Sequence, residues 1–381
     1  MTTRHLKTCP QTAADWMILI QLLTTTALVL AMAANGRTAE KKLIEFGWDE
    51  PDPTFMRQHA AEMDDSPFDG CVFHIEAKAP GRSKGSFTWD GWGQRSFSEE
   101  DLRPALEELK GVKFRRFKHN FLRFNTTPAN LDWFDDHSAV LNNARLAAWF
   151  AREAECEGIL FDIEQYTGQL FDYRKQKDAK QKGWERYSAQ VRQRGREVME
   201  AFQSAHPELT IFLTFGYSLP WMESHAGKGS LADCHYGLLA PFLDGMVQAA
   251  KGKTRLIDGN EGAYGFKEPD RFIASYRAMK EDLLPIVNDP AKYHQAFSFS
   301  FGLWIDRDWR KLGWNVDDPS TNYFSPPAFE KSVSQALAIA DEYVWIYTEM
   351  PRWWAGEKAA MEKLPAQYEE AQKRARINGN K

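Results

Sequence analysis

A pair of carboxylates stands at the end of the short apolar segment Gly158–Tyr166, which reads GILFDIEQY. Asp162 and Glu164 lie two residues apart, and in a β-strand residues at this spacing project from the same face. Both side chains should therefore emerge together from the carboxyl end of a buried strand. Two carboxyl groups at one position suit general acid–base catalysis. We therefore predict that Asp162 and Glu164 are catalytic.

Two further carboxylates follow other strand-like segments. Glu261 lies in the glycine-rich sequence DGNEGAYGF, and Glu349 follows the apolar segment Tyr343–Thr348. Carboxylates that share one site repel each other, which raises the pKa of at least one and lets it hold a proton near neutral pH. We therefore predict Glu261 and Glu349 as further catalytic residues.

Aromatic and histidine side chains recur at the same segment ends. Flat aromatic rings stack on apolar ligand faces, so these side chains are candidates for substrate contacts. The residues predicted to bind the substrate are Trp48, His74, His119, Tyr166, Tyr217, Trp304, Tyr347 and Trp353.

Eight short apolar segments alternate with helix-like segments from Lys42 onward. Near-continuous apolar strands are typical of a parallel sheet that is buried on both faces, and the alternation predicts a (β/α)8 TIM barrel. A doubly wound open sheet is the alternative, although no GxGxxG or Walker-type loop is present. The predicted strands are Leu43–Trp48, Gly70–Ile75, Val112–His119, Gly158–Glu164, Thr210–Tyr217, Leu243–Val247 (with Lys253–Asp258 as its alternative), Ala296–Trp304 and Tyr343–Thr348.

In such a barrel the carboxylates lie where active sites are built, and here the chain resembles the (β/α)8 glycoside hydrolase superfamily. The strand-four pattern resembles the chitinase-type motif D-x-x-D-x-D-x-E, whose acidic positions here read Glu157, Leu160, Asp162 and Glu164. The resemblance implies that Glu164 protonates the glycosidic oxygen and that Asp162 orients the acetamido group of the substrate, which acts as internal nucleophile. Only Asp162 and Glu164 match the motif, and Glu157 and Leu160 depart from it.

The wider superfamily implies a second mechanism. There the strand-four glutamate, here Glu164, is acid and base, and a carboxylate from a later strand, here Glu261 or Glu349, is the nucleophile or base. A separation of about 5–5.5 Å between the carboxyl groups corresponds to retention, and one of about 6.5–9.5 Å corresponds to inversion.

Composition limits the partners. The net charge of −5 provides no basic surface for nucleic acid, and 43% hydrophobic residues are enough for a large core. No cofactor is predicted. No metal is predicted either, because no cysteine pair has zinc-binding spacing and no H-x-H pattern occurs near the first strand. The alternative is a metal site formed by His74, Glu76, His119, Asp162 and Glu164.

The first 33 residues have the pattern of a signal peptide. Arg4 and Lys7 precede an apolar stretch that begins at Met17, and Ala31-Met32-Ala33 fits a cleavage site. We therefore expect a secreted or periplasmic protein whose residues 34–381 form a single barrel domain, with no stable membrane insertion once the leader is removed. The alternative is an uncleaved membrane anchor.

Together these features predict an exported glycoside hydrolase that acts on a carbohydrate substrate, with Glu164 as general acid. The alternatives are a carbohydrate-binding barrel without catalysis and a metal-dependent hydrolase on the same scaffold.

Overall fold

The strands of the chain close into a parallel barrel. A computed structural model describes residues 41–78, 81, 83–225, 229–354 and 364–379, so the predicted leader at 1–33 lies outside the described residues. Within those ranges no helix has both the length and the apolar character needed to cross a membrane. The strands are β1 (Lys42–Gly47), β2 (Gly70–Phe73), β3 (Glu76–Ala77), β4 (Gly85–Ser86), β5 (Phe121–Asn125), β6 (Gly158–Asp162), β7 (Thr210–Leu213), β8 (Arg255–Asp258), β9 (Phe297–Phe299), β10 (Phe301–Trp304) and β11 (Tyr343–Thr348).

Nine of the described strands form one sheet in the order β10-β11-β1-β2-β5-β6-β7-β8-β9, with every neighbouring pair parallel. β9 and β10 are consecutive segments that only Ser300 separates, so the chain itself joins the two edges of the sheet. The sheet therefore closes with eight strand positions, and the prediction of a (β/α)8 barrel is confirmed. β3 and β4 form a small separate antiparallel ribbon.

Side-chain alternation builds two cores. Every second residue of the strands points into the barrel, where apolar and aromatic side chains fill the middle. That inner core consists of Ile44, Phe46, Val72, Phe121, Leu160, Phe212, Ile257, Tyr343 and Trp345. The intervening residues, such as Leu43, Leu122 and Ile159, belong to a larger core outside the barrel.

Helices follow the strands and cover the barrel. Capping side chains fix the helix starts: Ser98 and Asp101 form a reciprocal capping box, and Asp52 caps a helix with proline in its first turn. The helices are α1 (Pro53–Gln58), α2 (Ala60–Asp65), α3 (Phe87–Asp90), α4 (Glu99–Lys110), α5 (Ser138–Glu153), α6 (Ala179–Ala205), α7 (Ser218–Glu223), α8 (Leu239–Ala249), α9 (Pro269–Arg277), α10 (Pro290–Ala296), α11 (Pro326–Ile339) and α12 (Ala366–Gly379).

The third predicted strand was placed too early in the chain. Residues Val112–His119 form a loop, and the strand is β5, Phe121–Asn125. The loop is held by Asp64, whose carboxylate accepts hydrogen bonds from the backbone N–H groups of Arg115, Arg116 and Phe117 at 2.8–3.0 Å. Those N–H groups are therefore directed at a side chain and not at a neighbouring strand.

The sixth predicted strand was wrong. Leu243–Val247 lies inside helix α8, and the strand at this position is β8, within the alternative segment Lys253–Asp258. Helix α8 is buried on nearly all sides, so its apolar run lacks the polar face that marks an amphipathic helix.

Candidate active site

Asp162 is the fixed point at the carboxyl end of the barrel. Its side chain is completely buried. On the adjacent strand β5, Arg123 donates to one Asp162 carboxylate oxygen from Nη2 at 2.6 Å and from Nε at 3.1 Å. The same guanidinium donates to Glu50 Oε2 at 2.8 Å. These two carboxylates raise the pKa of Arg123, although burial alone would lower it. Arg123 therefore neutralises Asp162 and fixes its orientation.

Glu164 extends beyond the strand and is half-buried at the same edge. Its backbone N–H donates to Asp162 Oδ1 at 3.1 Å, so Asp162 also fixes the backbone that presents the glutamate. The Tyr166 hydroxyl lies 3.0 Å from Glu164 Oε1 and 3.0 Å from Asp162 Oδ2. Burial, together with the negative charge of Asp162, raises the pKa of Glu164 to about 7. Glu164 thus holds a proton over much of the neutral range.

Glu261 forms a side-chain hydrogen bond with Glu164 across the mouth of the barrel. It follows β8 after a turn in which Asn260 has a left-handed φ of 48°, a conformation that asparagine tolerates better than most residues. The Tyr264 hydroxyl donates to Glu261 Oε1 at 2.9 Å. Burial and the nearby Glu164 and Asp162 carboxylates raise the pKa of Glu261 well above its usual value. Two carboxyl groups in hydrogen-bonding contact share a proton, because both cannot ionise at that separation.

Glu349 is the third carboxylate at this edge and follows β11. Its backbone N–H donates to Asp306 Oδ1 at 3.1 Å, and its side chain accepts from the Tyr347 hydroxyl. Trp48 in turn donates to the Tyr347 oxygen. Burial and the Asp306 carboxylate raise the pKa of Glu349. Strand β11 therefore places Glu349 at the same end of the barrel as the Glu164–Glu261 pair, outside their hydrogen bond.

Aromatic rings surround the carboxylates. Trp304 packs edge-on against Tyr264, with ring centroids 5.4 Å apart, and against Tyr347 at 5.1 Å. Trp48 and Tyr166 are 56% and 44% exposed, which leaves ring surface free for a ligand. The site thus combines a proton-holding pair with open apolar faces.

The structure brings together most of the predicted site residues. All four predicted catalytic carboxylates lie at the carboxyl end of the barrel, and half-buried His74 follows β2 at the same end. The predicted binding residues that join them are Trp48, Tyr166, Trp304 and Tyr347.

His119 lies at the opposite end of the barrel. It precedes β5, and its Nδ1 contacts Glu157 Oε2 at 2.8 Å. Arg255 extends this network from Glu157 to Glu342, which also pairs with Lys42. The prediction of His119 as a binding residue depended on a strand that ended there, whereas the strand begins two residues later.

Tyr217 and Trp353 are buried away from the mouth. Tyr217 donates to Asp244 Oδ1 at 2.9 Å and packs against Tyr293 in the helix layer. Trp353 is 8% exposed and packs edge-on against Phe68 at 4.7 Å. Both residues were predicted to face the site, but a ring at a strand end or in the following loop can also point outward into the helix layer.

Several site residues were not predicted. Arg123 lies inside an apolar strand, and a single buried cation in such a strand is a signal of a nearby carboxylate. Trp89, which is 39% exposed, contacts Tyr166 edge-on at 5.2 Å and stacks on Arg123 at 4.8 Å. Tyr264 was part of the DGNEGAYGF sequence, and its position three residues after Glu261 is the spacing of one helical turn.

The alternative metal set does not converge. Because His119 lies at the other end of the barrel, it is separated from Asp162 and Glu164. In the part of the chain that the structure describes, no group of three or more histidine, cysteine, aspartate or glutamate side chains is placed to hold a metal ion.

Comparisons with known proteins find similarity at the level of solved structures. Neither a protein-family model nor a curated protein matches the sequence. A GH5-4 broad specificity endoglucanase from an uncultured bacterium matches with 12% identity, 86% of each chain covered and a TM-score of 0.48. A hyperthermophilic endocellulase from the archaeon Pyrococcus horikoshii matches with 11% identity, 89% of this chain and 93% of that chain covered, and a TM-score of 0.44. The Thermobacillus composti GH10 xylanase matches with 9% identity, 89% and 97% covered, and a TM-score of 0.43.

These similar structures are glycoside hydrolases, and they indicate no single family for this chain. A further structure of the Pyrococcus horikoshii endocellulase holds cellotetraose.

Proposed function

We propose that this protein is a glycoside hydrolase in which Glu164 is the general acid. The observation that carries the proposal is the cluster of carboxyl groups at the mouth of the barrel, in which Glu164 contacts Glu261 and lies beside the buried Asp162. A general acid must hold a proton at the working pH, and burial together with the Asp162 charge raises the pKa of Glu164 to about 7. The exposed rings of Trp48 and Tyr166 supply apolar faces on which sugar rings can stack.

The partner of Glu164 in this proposal is Glu349. A hydrogen bond between carboxyl groups is much shorter than the roughly 5–5.5 Å needed to place a sugar between acid and nucleophile. This argues against Glu261 as the group on the other side of the glycosidic bond. Glu349 comes from another strand and makes no hydrogen bond to Glu164 among the described residues, so it is the nucleophile or base that we propose.

Asp162 positions Glu164 and has little capacity left for substrate. Its side chain is fully buried, and Arg123 and Tyr166 occupy one of its oxygens while the Glu164 backbone occupies the other. A substrate-assisted mechanism needs this aspartate to orient an acetamido group. The contacts favour instead the mechanism in which two protein carboxylates act on the bond.

We also propose that the protein is exported, on the basis of the leader pattern in residues 1–33. Fractionation of cells that express the full chain, with sequencing of the amino terminus, tests this. A protein that starts at Ala34 outside the cytoplasm supports export, and an intact leader in the cytoplasm contradicts it.

Hydrolysis of a broad oligosaccharide panel tests the proposed activity. The wild type should release reducing ends from at least one glycan, and Glu164→Gln should lower kcat by about 10²–10⁴-fold while binding is kept. Glu185→Gln, on the exposed surface of α6, is the matched control and should change nothing. Binding without turnover in the wild type would favour the carbohydrate-binding barrel, and turnover that is lost on chelation would favour the metal-dependent hydrolase.

A further inference from the structure

Arg307 is held at the rim of the same mouth, just after strand β10. The residue is exposed. The centre of its guanidinium lies 4.7 Å from the ring centroid of Trp304 and 5.0 Å from that of Trp309. Two indole rings therefore hold one cation, which is an arrangement that orders the side chain without neutralising its charge.

The acidic neighbours of Arg307 in sequence are already committed to other donors. Asp306 accepts from Trp304 Nε1 at 3.0 Å and from the backbone N–H of Met350 at 2.9 Å. Asp308 accepts from Arg310 Nε at 2.9 Å and from the backbone N–H of Leu312 at 2.7 Å. Over the described ranges of the chain, no carboxylate forms an ion pair with Arg307, so its N–H donors remain available to a ligand.

Both indole rings are fixed from their other sides. Trp304 packs against Tyr264 with ring centroids 5.4 Å apart. Trp309 lies on Gly265, where a Cβ atom would come within 2.6 Å of the Trp309 Nε1 atom. Gly265 is therefore a position at which any side chain would displace the ring. The guanidinium of Arg307 is consequently preorganised, which reduces the entropy that a ligand must overcome.

We propose that Arg307 forms a subsite for an anionic group, a carboxylate or a sulfate, on the saccharide substrate. This inference rests on the proposed function, since it requires the substrate to be a saccharide. Arginine binds such oxyanions through two parallel N–H donors. The positive charge of Arg307 also acts on the Glu349 carboxylate, so the subsite adjoins Glu349.

Binding to paired oligosaccharides tests the subsite. The Glu164→Gln protein is titrated by calorimetry with tetragalacturonate, tetramannuronate and a hyaluronan tetrasaccharide, each beside its neutral methyl ester. A sulfated galactan tetrasaccharide is compared with its desulfated form. At least one anionic probe should bind about tenfold or more tightly than its neutral partner. The preference should shrink as salt rises. The probe that shows this preference identifies whether the subsite binds a carboxylate or a sulfate.

Variants assign the preference to Arg307. Arg307→Gln should abolish it while binding of the neutral partner stays within about twofold, and Arg307→Lys should keep only part of it, because lysine lacks the planar pair of donors. Arg103→Gln removes the same charge from the exposed face of α4 and should leave the preference intact.

Two results would overturn the subsite. One is an anion preference that survives in Arg307→Gln, and the other is a panel in which no anionic probe is preferred. If the wild type hydrolyses neutral glycans under either result, the proposed function stands and this inference alone fails. If no saccharide is bound or hydrolysed at all, the proposed function fails and the inference fails with it.

Discussion

At the residue scale, opposing interactions set the pKa of Glu164. Burial and the Asp162 carboxylate raise its pKa, while hydrogen bonds from neighbouring groups, including Tyr166, lower it. The result is a pKa of about 7. If Glu164 is the general acid, kcat/KM should fall as pH rises through about 7, because the proton needed for the leaving group is lost.

Tyr166→Phe should move this alkaline limb to higher pH. The substitution removes a donor that stabilises the charged form of Glu164. A hydrogen bond contributes about 1 kcal/mol and one pKa unit corresponds to about 1.4 kcal/mol, so the shift should be roughly 0.7 unit upward. The pH profile of kcat/KM measures it. A downward shift would mean that Tyr166 stabilises the protonated form instead.

The same pKa predicts a pH-dependent stability difference. The folded state binds the Glu164 proton more tightly than the unfolded state, whose value is 4.5, so ionisation destabilises the fold as pH rises from 4.5 to about 7. Glu164→Gln should therefore increase the free energy of unfolding relative to wild type at pH 8, by on the order of 2 kcal/mol. Denaturant titrations at pH 8 and pH 4 measure the difference, which should be small at pH 4. An equal difference at both pH values would contradict a raised pKa of Glu164 in the folded state.

At the residue scale, the sequence predicted the site carboxylates but not the side chains that contact them. The carboxylates were found because acidic side chains after apolar strands are conspicuous. Arg123 was not, because its role depends on the parallel register that pairs Asn125 with Asp162 and so places Arg123 beside the carboxylate. Tyr217 and Trp353 were misplaced, because the sequence does not specify which side of the barrel wall a residue faces once the strand has ended.

At the element scale, the loop before β5 depends on one carboxylate. Burial alone would raise the pKa of Asp64, but the backbone N–H groups of Arg115, Phe117 and Arg116 lower it below its usual value of 3.8. The depressed pKa means that Asp64 stabilises the fold above about pH 4 and that this stabilisation is lost as pH falls. The loop in turn sets where strand β5 begins.

Asp64→Asn should therefore lower the free energy of unfolding by about 2 kcal/mol at pH 7, because an amide oxygen accepts these hydrogen bonds less strongly than a carboxylate. The difference from wild type should shrink below pH 4. Asp65→Asn is the matched control, since Asp65 is exposed and forms an ion pair with the exposed Arg115. Equal effects of the two substitutions would show that the loop does not depend on Asp64.

Prediction of the elements succeeded where strands and helices have different burial patterns, and it failed where the two patterns are the same. Six of the eight barrel strands were recovered, because each is a short apolar run between helical segments. The third predicted strand covered the loop tied to Asp64 and ended before β5 begins. A segment of helix α8 was predicted as a strand, because a helix that is buried on most sides has the same apolar run as a buried strand.

At the scale of the whole molecule, the two ends of the barrel have different chemistry. The amino-terminal end carries a polar network in which His119 contacts Glu157 and Arg255 pairs with Glu157 and Glu342. The carboxyl end instead carries Glu164 and the other site carboxylates beside exposed rings. This asymmetry is that of (β/α)8 barrels in general, in which one end maintains stability and the other holds the site.

We predict that the chain from Ala34 onward folds as one domain. All of the barrel strands that the structure describes begin at or after Lys42, so removal of residues 1–33 deletes none of them. Scanning calorimetry of this chain should show one cooperative transition, at the same temperature as the full chain within a few degrees. Two separate transitions would contradict a single barrel domain.

The most direct test of the account compares leaving groups. General acid catalysis matters when the departing alcohol is a poor leaving group and matters little when it is a good one. We predict that Glu164→Gln lowers kcat/KM for a natural oligosaccharide by about 10²–10⁴-fold, but for the matching 2,4-dinitrophenyl glycoside by less than about tenfold. Equal losses on both substrates, or no loss on the oligosaccharide, would contradict Glu164 as the general acid.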